Sequence, residues 1–191
     1  LKERRLERVV IVGHSLGGVL AYAIAARAPE IAAVVAIDGL PFMPALMDPA
    51  STAESVAPQA AQVRDMFATL DRAAFAQQTR GALAQMITAP AEVERVAREA
   101  VRSDPRVVAQ AVYDVMTTDL RDEVATIAAP IWLVQAAAGA PEEMSAAYAA
   151  QIERAPRDHL VVAKTAKHFV MLDAPELIDA TIDQALAEVA R

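Results

Sequence analysis

Val9-Val10-Ile11-Val12-Gly13-His14-Ser15-Leu16-Gly17-Gly18 is the stretch from which the rest of the chain can be ordered. Its first four residues are an unbroken β-branched run, which reads as a strand buried on both faces, as in a parallel sheet. Gly13 ends that strand, and an alanine-rich helix is expected over residues 16–28. Residues 31–37 make a second strand of the same kind, closed by Asp38-Gly39. Strand, helix and strand joined by such short connections form the repeating unit of an α/β sheet.

Downstream, the pattern changes. Prolines 41, 44 and 49 mark turns, and amphipathic helices follow over 53–70, 73–87, 91–102 and 105–116, each opened by a capping residue or a proline. No strand-like run lies among them, so residues 40–118 are expected to form an all-helical insertion. Strands return at 131–134 and 160–163, separated by a helix over 141–154. Asp173-Ala174-Pro175-Glu176 reads as the start of a last helix, with Asp173 as its N-cap and Glu176 completing a capping box. Residues 1–39 and 119–191 then make one α/β core: a parallel sheet of four strands flanked by helices.

Composition removes several function classes. Of 191 residues 55% are hydrophobic and only 4% aromatic, so the apolar content is mainly small side chains on helices and not a membrane signal. Arg27 and Glu30 interrupt the longest apolar candidate, from Val9 onward, and no spanning segment is expected. The net charge of −7, with basic residues scattered except at Lys2, Arg4, Arg5 and Arg8, argues against a nucleic-acid partner. There is no cysteine, which excludes disulfides and a thiol nucleophile. The three histidines are dispersed and the glycines fit no phosphate loop, so neither a metal nor a cofactor is expected. The chain opens with Leu1 and passes from a charged segment at 2–8 straight into a buried strand, as expected where the natural N-terminus lies further upstream; the compartment is not legible.

Gly13-His14-Ser15-Leu16-Gly17 fits G-x-S-x-G between a strand and a helix, the setting in which that pattern has a mechanical meaning. A sharp turn lifts Ser15 above the sheet in a strained conformation. Gly13 and Gly17 are expected where a Cβ has no room, and Gly18 where the helix approaches the sheet. The backbone N–H of Leu16, at the helix N-terminus, can then stabilise an oxyanion. A serine hydroxyl needs a base to take its proton. His14 sits inside the turn and reads as packing, His159 as a surface turn. His168, in the loop leaving the last strand, opens at the same carboxyl edge of the sheet as the turn.

Turn, helical insertion, strand, helix, strand and a late His168-Phe169 followed by Asp173-Ala174-Pro175 resemble the α/β-hydrolase superfamily over essentially the whole chain. The resemblance implies an acyl-enzyme mechanism on a small ester, lactone or related acyl substrate, with Ser15 as nucleophile, His168 as base and an acid orienting it. It implies that residues 40–118 cap the site, with Phe42, Met43, Met47, Met66 and Phe67 either walling an apolar pocket or packing the cap helices together. It also implies that only the last four of eight strands are present, that strand 9–12 is an apolar edge here, and that the second oxyanion donor lies outside this chain.

One departure concerns the acid. Most of the superfamily carries it after the third strand seen here, but Gln135-Ala136-Ala137-Ala138-Gly139-Ala140 holds no carboxylate, and Glu142 and Glu143 read as first-turn helix acids. Asp38 stands where a known variant places it, one strand earlier and laterally close to Ser15. An ordinary turn pair at Asp38-Gly39 is the competing reading. Asp119 reads as a partner of Arg121. C–C bond hydrolases and acyl transferases of this fold would use the same Ser15 and His168, and a non-catalytic binding protein could keep the fold.

Overall fold

The structure is a computed structural model that describes residues 6–190. The basic segment read at the start therefore lies, from Lys2 to Arg5, outside the described residues. Four strands, β1 (Val9–His14), β2 (Ile31–Ile37), β3 (Ile131–Ala136) and β4 (Asp158–Ala163), form one parallel sheet in the order β1-β2-β3-β4. Helix α1 (Leu16–Ala25) links β1 to β2. A 3-10 turn (Met43–Leu46) is followed by α2 (Ala53–Ala68), α3 (Arg72–Met86), α4 (Pro90–Ala100), α5 (Pro105–Thr117) and the short α6 (Arg121–Val124). Helix α7 (Glu143–Ala150) joins β3 to β4, and α8 (Val170–Asp173) and α9 (Pro175–Val189) end the chain.

Strand alternation sorts the core. Val34, Ala36, Ile131 and Leu133 face one side and pack with Val19 and Tyr22 of α1, Tyr148 of α7 and Ile152. Ala33, Val35, Ile37, Trp132 and Val134 face the other, against Val170, Ile178 and Ala185. Both faces of β2 and β3 are covered, which is why these strands read as continuous apolar runs. Helices α2 and α5 pack on one another, as do α3 and α4. A smaller cluster of Leu83, Ile87, Val93 and Ala97 receives Phe169 and Leu172 from the segment after β4. No helix among the described residues is long and apolar enough to cross a membrane.

Three expectations need correction. His159 is not in a surface turn: β4 begins at Asp158, and the His159 ring stacks on Trp132 with centroids 4.0 Å apart while Nε2 meets Glu188 at 3.1 Å. Asp173 does not cap α9, whose N-cap is Ala174 without a side-chain bond. Instead its carboxylate accepts from the Thr88 hydroxyl at 2.7 Å, the Thr88 N–H at 3.1 Å and the Lys167 N–H at 2.9 Å, tying the α3–α4 junction to the loop after β4. Two donors from distant Thr88 and one from nearby Lys167 outcompete one local cap.

Gly17, expected where a Cβ has no room, stands in open space. A Cβ on Gly13 would fall 2.1 Å from the Gly17 carbonyl oxygen, but one on Gly17 meets nothing within 4 Å. The tight partner of Gly18 is Gly39, whose Cα lies 2.9 Å from where a Gly18 Cβ would be. Gly13→Ala is therefore expected to cost about 3 kcal/mol or to prevent folding, because backbone cannot yield. Gly17→Ala should stay within about 1 kcal/mol of the parent in urea unfolding, since a helix gains from alanine.

Candidate active site

Ser15 sits between β1 and α1 with φ 53° and ψ −119°, a region that costs a non-glycine residue about 1–3 kcal/mol. The surrounding bonds hold it there: its N–H donates to the Ile37 carbonyl at 2.9 Å, and its carbonyl accepts from Gly18 and Val19. Its side chain makes no capping bond to α1, so the hydroxyl is not consumed by the helix it precedes. Leu16 is the first residue of that helix, and its N–H has no intrahelical acceptor.

Asp38 directly follows β2 at φ 46°, with its N–H donating to the Val134 carbonyl at 2.8 Å. The pair Asp38-Gly39 is thus more than a turn, because Gly39 is the residue against which the Ser15–Gly18 segment packs. Asp38 Oδ2 accepts from His168 Nδ1–H at 2.6 Å, across 130 residues of sequence. Its Oδ1 accepts from the Tyr148 hydroxyl at 2.8 Å and the Ala136 N–H at 3.0 Å. The carboxylate is 9% exposed and the His168 ring 25%, so the pair is largely withdrawn from water. In a neutral imidazole, a proton on Nδ1 leaves Nε2 as the acceptor nitrogen.

His14 packs beside this pair. Its Nε2–H donates to the His168 carbonyl at 3.0 Å, and its ring lies 4.6 Å from that of His168 and 4.8 Å from that of Phe169. Burial, then repulsion from His168, push its pKa down to about 4, so it is neutral at ordinary pH. The loop carrying His168 is held from the helical side as well. Phe169 N–H donates to the Met86 carbonyl at 3.1 Å, and Lys167 Nζ to the carbonyls of Ala84 and Ile87 at 3.2 and 3.3 Å.

Asp173 completes that attachment. Partial burial works against its charge, but the Thr88 hydroxyl and the Lys167 and Thr88 N–H groups outweigh it and hold the carboxyl below its ordinary 3.8. A depressed folded pKa contributes stability that is present above 3.8 and lost as pH falls through the lower folded value. Asp173→Asn is expected to lower Tm at neutral pH by roughly 2–4 °C. The gap from the parent should narrow as melts are taken below that range.

Ser15, Asp38, Tyr148 and His168 line one cavity of about 400 Å³, together with Val19, Leu40 and Met86 among others. Ser15 and His168 share it without a hydrogen bond between their side chains, a contact often long in unliganded sites. A second cavity of about 320 Å³ opens from Ser15 and Leu16 along Val107, Val108, Ala111 and Val112 of α5. Met43 lines both. Phe42, Met47, Met66 and Phe67 line neither. Phe42 is fully buried, its backbone clasped by the Gln151 side chain and its ring 4.7 Å under the Arg121 guanidinium. Met47 and Met66 are 86% and 52% exposed, and Phe67 is half-buried in α2. Asp119 pairs with Arg121 at 2.6 Å, outside these cavities.

Sequence reasoning missed Tyr148 and the Ala136 N–H as partners of Asp38. Tyr148 is the one aromatic residue of an alanine-rich helix, a signal of packing that does not reveal a hydrogen-bond partner. It likewise missed Met86 and Val115, which only the fold of α3 and α5 brings to the cavity. No three His, Cys, Asp or Glu side chains are grouped to hold a metal among the described residues.

A model of the alpha/beta hydrolase family matches residues 1–181. Among solved structures, the chain is similar to a hydrolase from Pseudomonas aeruginosa PA01, with TM-score 0.76 and 19% identity over 97% of this chain and 67% of that one. It is similar to the enol-lactonase from Burkholderia xenovorans LB400, with TM-score 0.73 and 20% identity over 97% and 68%. A thermophilic esterase from Thermogutta terrifontis gives TM-score 0.69 and 20% identity over 96% and 66%. The chain thus spans about two thirds of each of these proteins, and at such identities the likeness is one of fold. No curated protein matches it in sequence.

Proposed function

The chain belongs to the alpha/beta hydrolase family, and from that premise we propose that it is a serine hydrolase acting on a small ester, lactone or related acyl compound. The observation that carries this reading is the 2.6 Å bond from His168 to Asp38 beside a strained Ser15 in one cavity.

In this reading Ser15 Oγ attacks the substrate carbonyl while His168 Nε2 takes its proton. The oxyanion forms at the Leu16 N–H, where the α1 dipole favours negative charge. Asp38 holds the Nδ1–H tautomer and offsets the charge of the imidazolium. The tetrahedral intermediate expels its alkoxide, His168 protonates the leaving oxygen, and water then cleaves the acyl-Ser15 ester by the same steps reversed. The segment 40–118 serves as a cap, and the apolar wall from α5 suits the uncharged part of a substrate. An enol-lactonase and an esterase of the same fold support the substrate class.

A p-nitrophenyl ester mixed rapidly with the protein tests the acyl-enzyme. Release of about one equivalent of p-nitrophenol per site before the steady state is expected. A linear trace at all substrate concentrations, with acylation shown not to limit turnover, would reject the covalent intermediate.

A further inference from the structure

Asp38 reaches His168 from β2, whereas the loop after β3 supplies no acid, and the carboxylate has supports of its own. Its two oxygens have different partners: Tyr148 hydroxyl and Ala136 N–H on Oδ1, His168 Nδ1–H on Oδ2. We propose that Tyr148 is a positioning residue for the reaction, fixing the rotation of the Asp38 carboxylate so that Oδ2 stays in line with His168. The proposal rests on the serine-hydrolase reading above.

The last torsion of an aspartate is soft and roughly two-fold, so a single donor leaves the carboxylate free to exchange or tilt its oxygens. Two donors converging on Oδ1 from different elements, β3 and α7, define its plane. Tyr148 suits the task because its own ring is fixed: it is 7% exposed and packs in the core with Tyr22, Leu40, Leu133 and Ile152. Burial, and next the Asp38 charge, raise the pKa of its phenol, so it stays neutral and donates. A hydrogen bond to a charged acceptor in a site screened from water is worth more than a neutral one. The hydroxyl is committed to Asp38, and the ring beside it walls the cavity that Ser15 and His168 share.

The test uses Tyr148→Phe, which keeps the ring and removes the donor. We expect kcat on an ester to fall about ten- to thirtyfold with KM within about twofold. The downfield proton resonance of His168 Nδ1–H should shift or broaden. In an Asp38→Asn background the same substitution should cost little, because no carboxylate oxygen remains for Tyr148 to hold in line with His168. Unchanged kcat and resonance in Tyr148→Phe, or an equal loss in both backgrounds, would overturn the positioning role while leaving the hydrolase reading intact. Failure of a fluorophosphonate to label the parent protein would overturn the hydrolase reading and this proposal together.

Discussion

Ser15→Ala is expected to lower kcat for ester hydrolysis by about 10⁵–10⁶, leaving only what binding and the oxyanion site provide. The geometry also predicts what the substitution leaves alone. The Ser15 side chain makes no capping bond to α1, so removing its hydroxyl forfeits no contact that holds the fold. The strain at φ 53° belongs to the backbone, fixed by the bonds to Ile37, Gly18 and Val19, and persists in alanine. Melting should therefore move little while turnover collapses. A variant that kept a per cent of parental kcat would place the nucleophile elsewhere. A variant that lost its fold would show that the hydroxyl has a structural task the described contacts do not contain.

Asp38→Asn is the second large effect, about 10³–10⁴ in kcat. The direction follows from the partners of each oxygen. Tyr148 and Ala136 both donate to Oδ1, so the amide oxygen of asparagine must take that place and its NH₂ must face His168. Two donors cannot share one bond, so His168 is driven to carry its proton on Nε2. It can then no longer accept a proton from Ser15. KM should change far less than kcat. Glu142→Gln and Glu143→Gln, at the exposed start of α7, should leave both constants unchanged. Parental kcat in Asp38→Asn would remove Asp38 from the machinery.

The sheet was legible because buried parallel strands are written as β-branched runs, and the positions of Ser15 and His168 at one edge follow from two strand ends pointing the same way. That Asp38 meets His168 was reached only through the vacancy at residues 135–140. Residues whose role depends on distant chain were read by local rules. Asp173 precedes an Ala-Pro-Glu helix start and looks like a cap, yet Thr88, far away in sequence, is its partner. His159 stands beside Arg157 and Asp158 and looks like a turn, yet Trp132 covers its ring. By residue type alone Phe42, Met43, Met47, Met66 and Phe67 read equally as pocket walls or as packing between the cap helices. Arg121 and Gln151 bury Phe42, and only Met43 among the five is turned to the cavities. A glycine's reason is similarly nonlocal: Gly18 is explained by Gly39, and Gly17 by no contact at all.

The proposed chemistry requires Ser15 to be an activated nucleophile. Treating the protein with a fluorophosphonate and locating the adduct by mass spectrometry of its peptides tests it most directly. One phosphonyl group per chain, on Ser15 and dependent on His168, is the result expected. Folded protein that takes up no label, or takes it up at another serine, would contradict it.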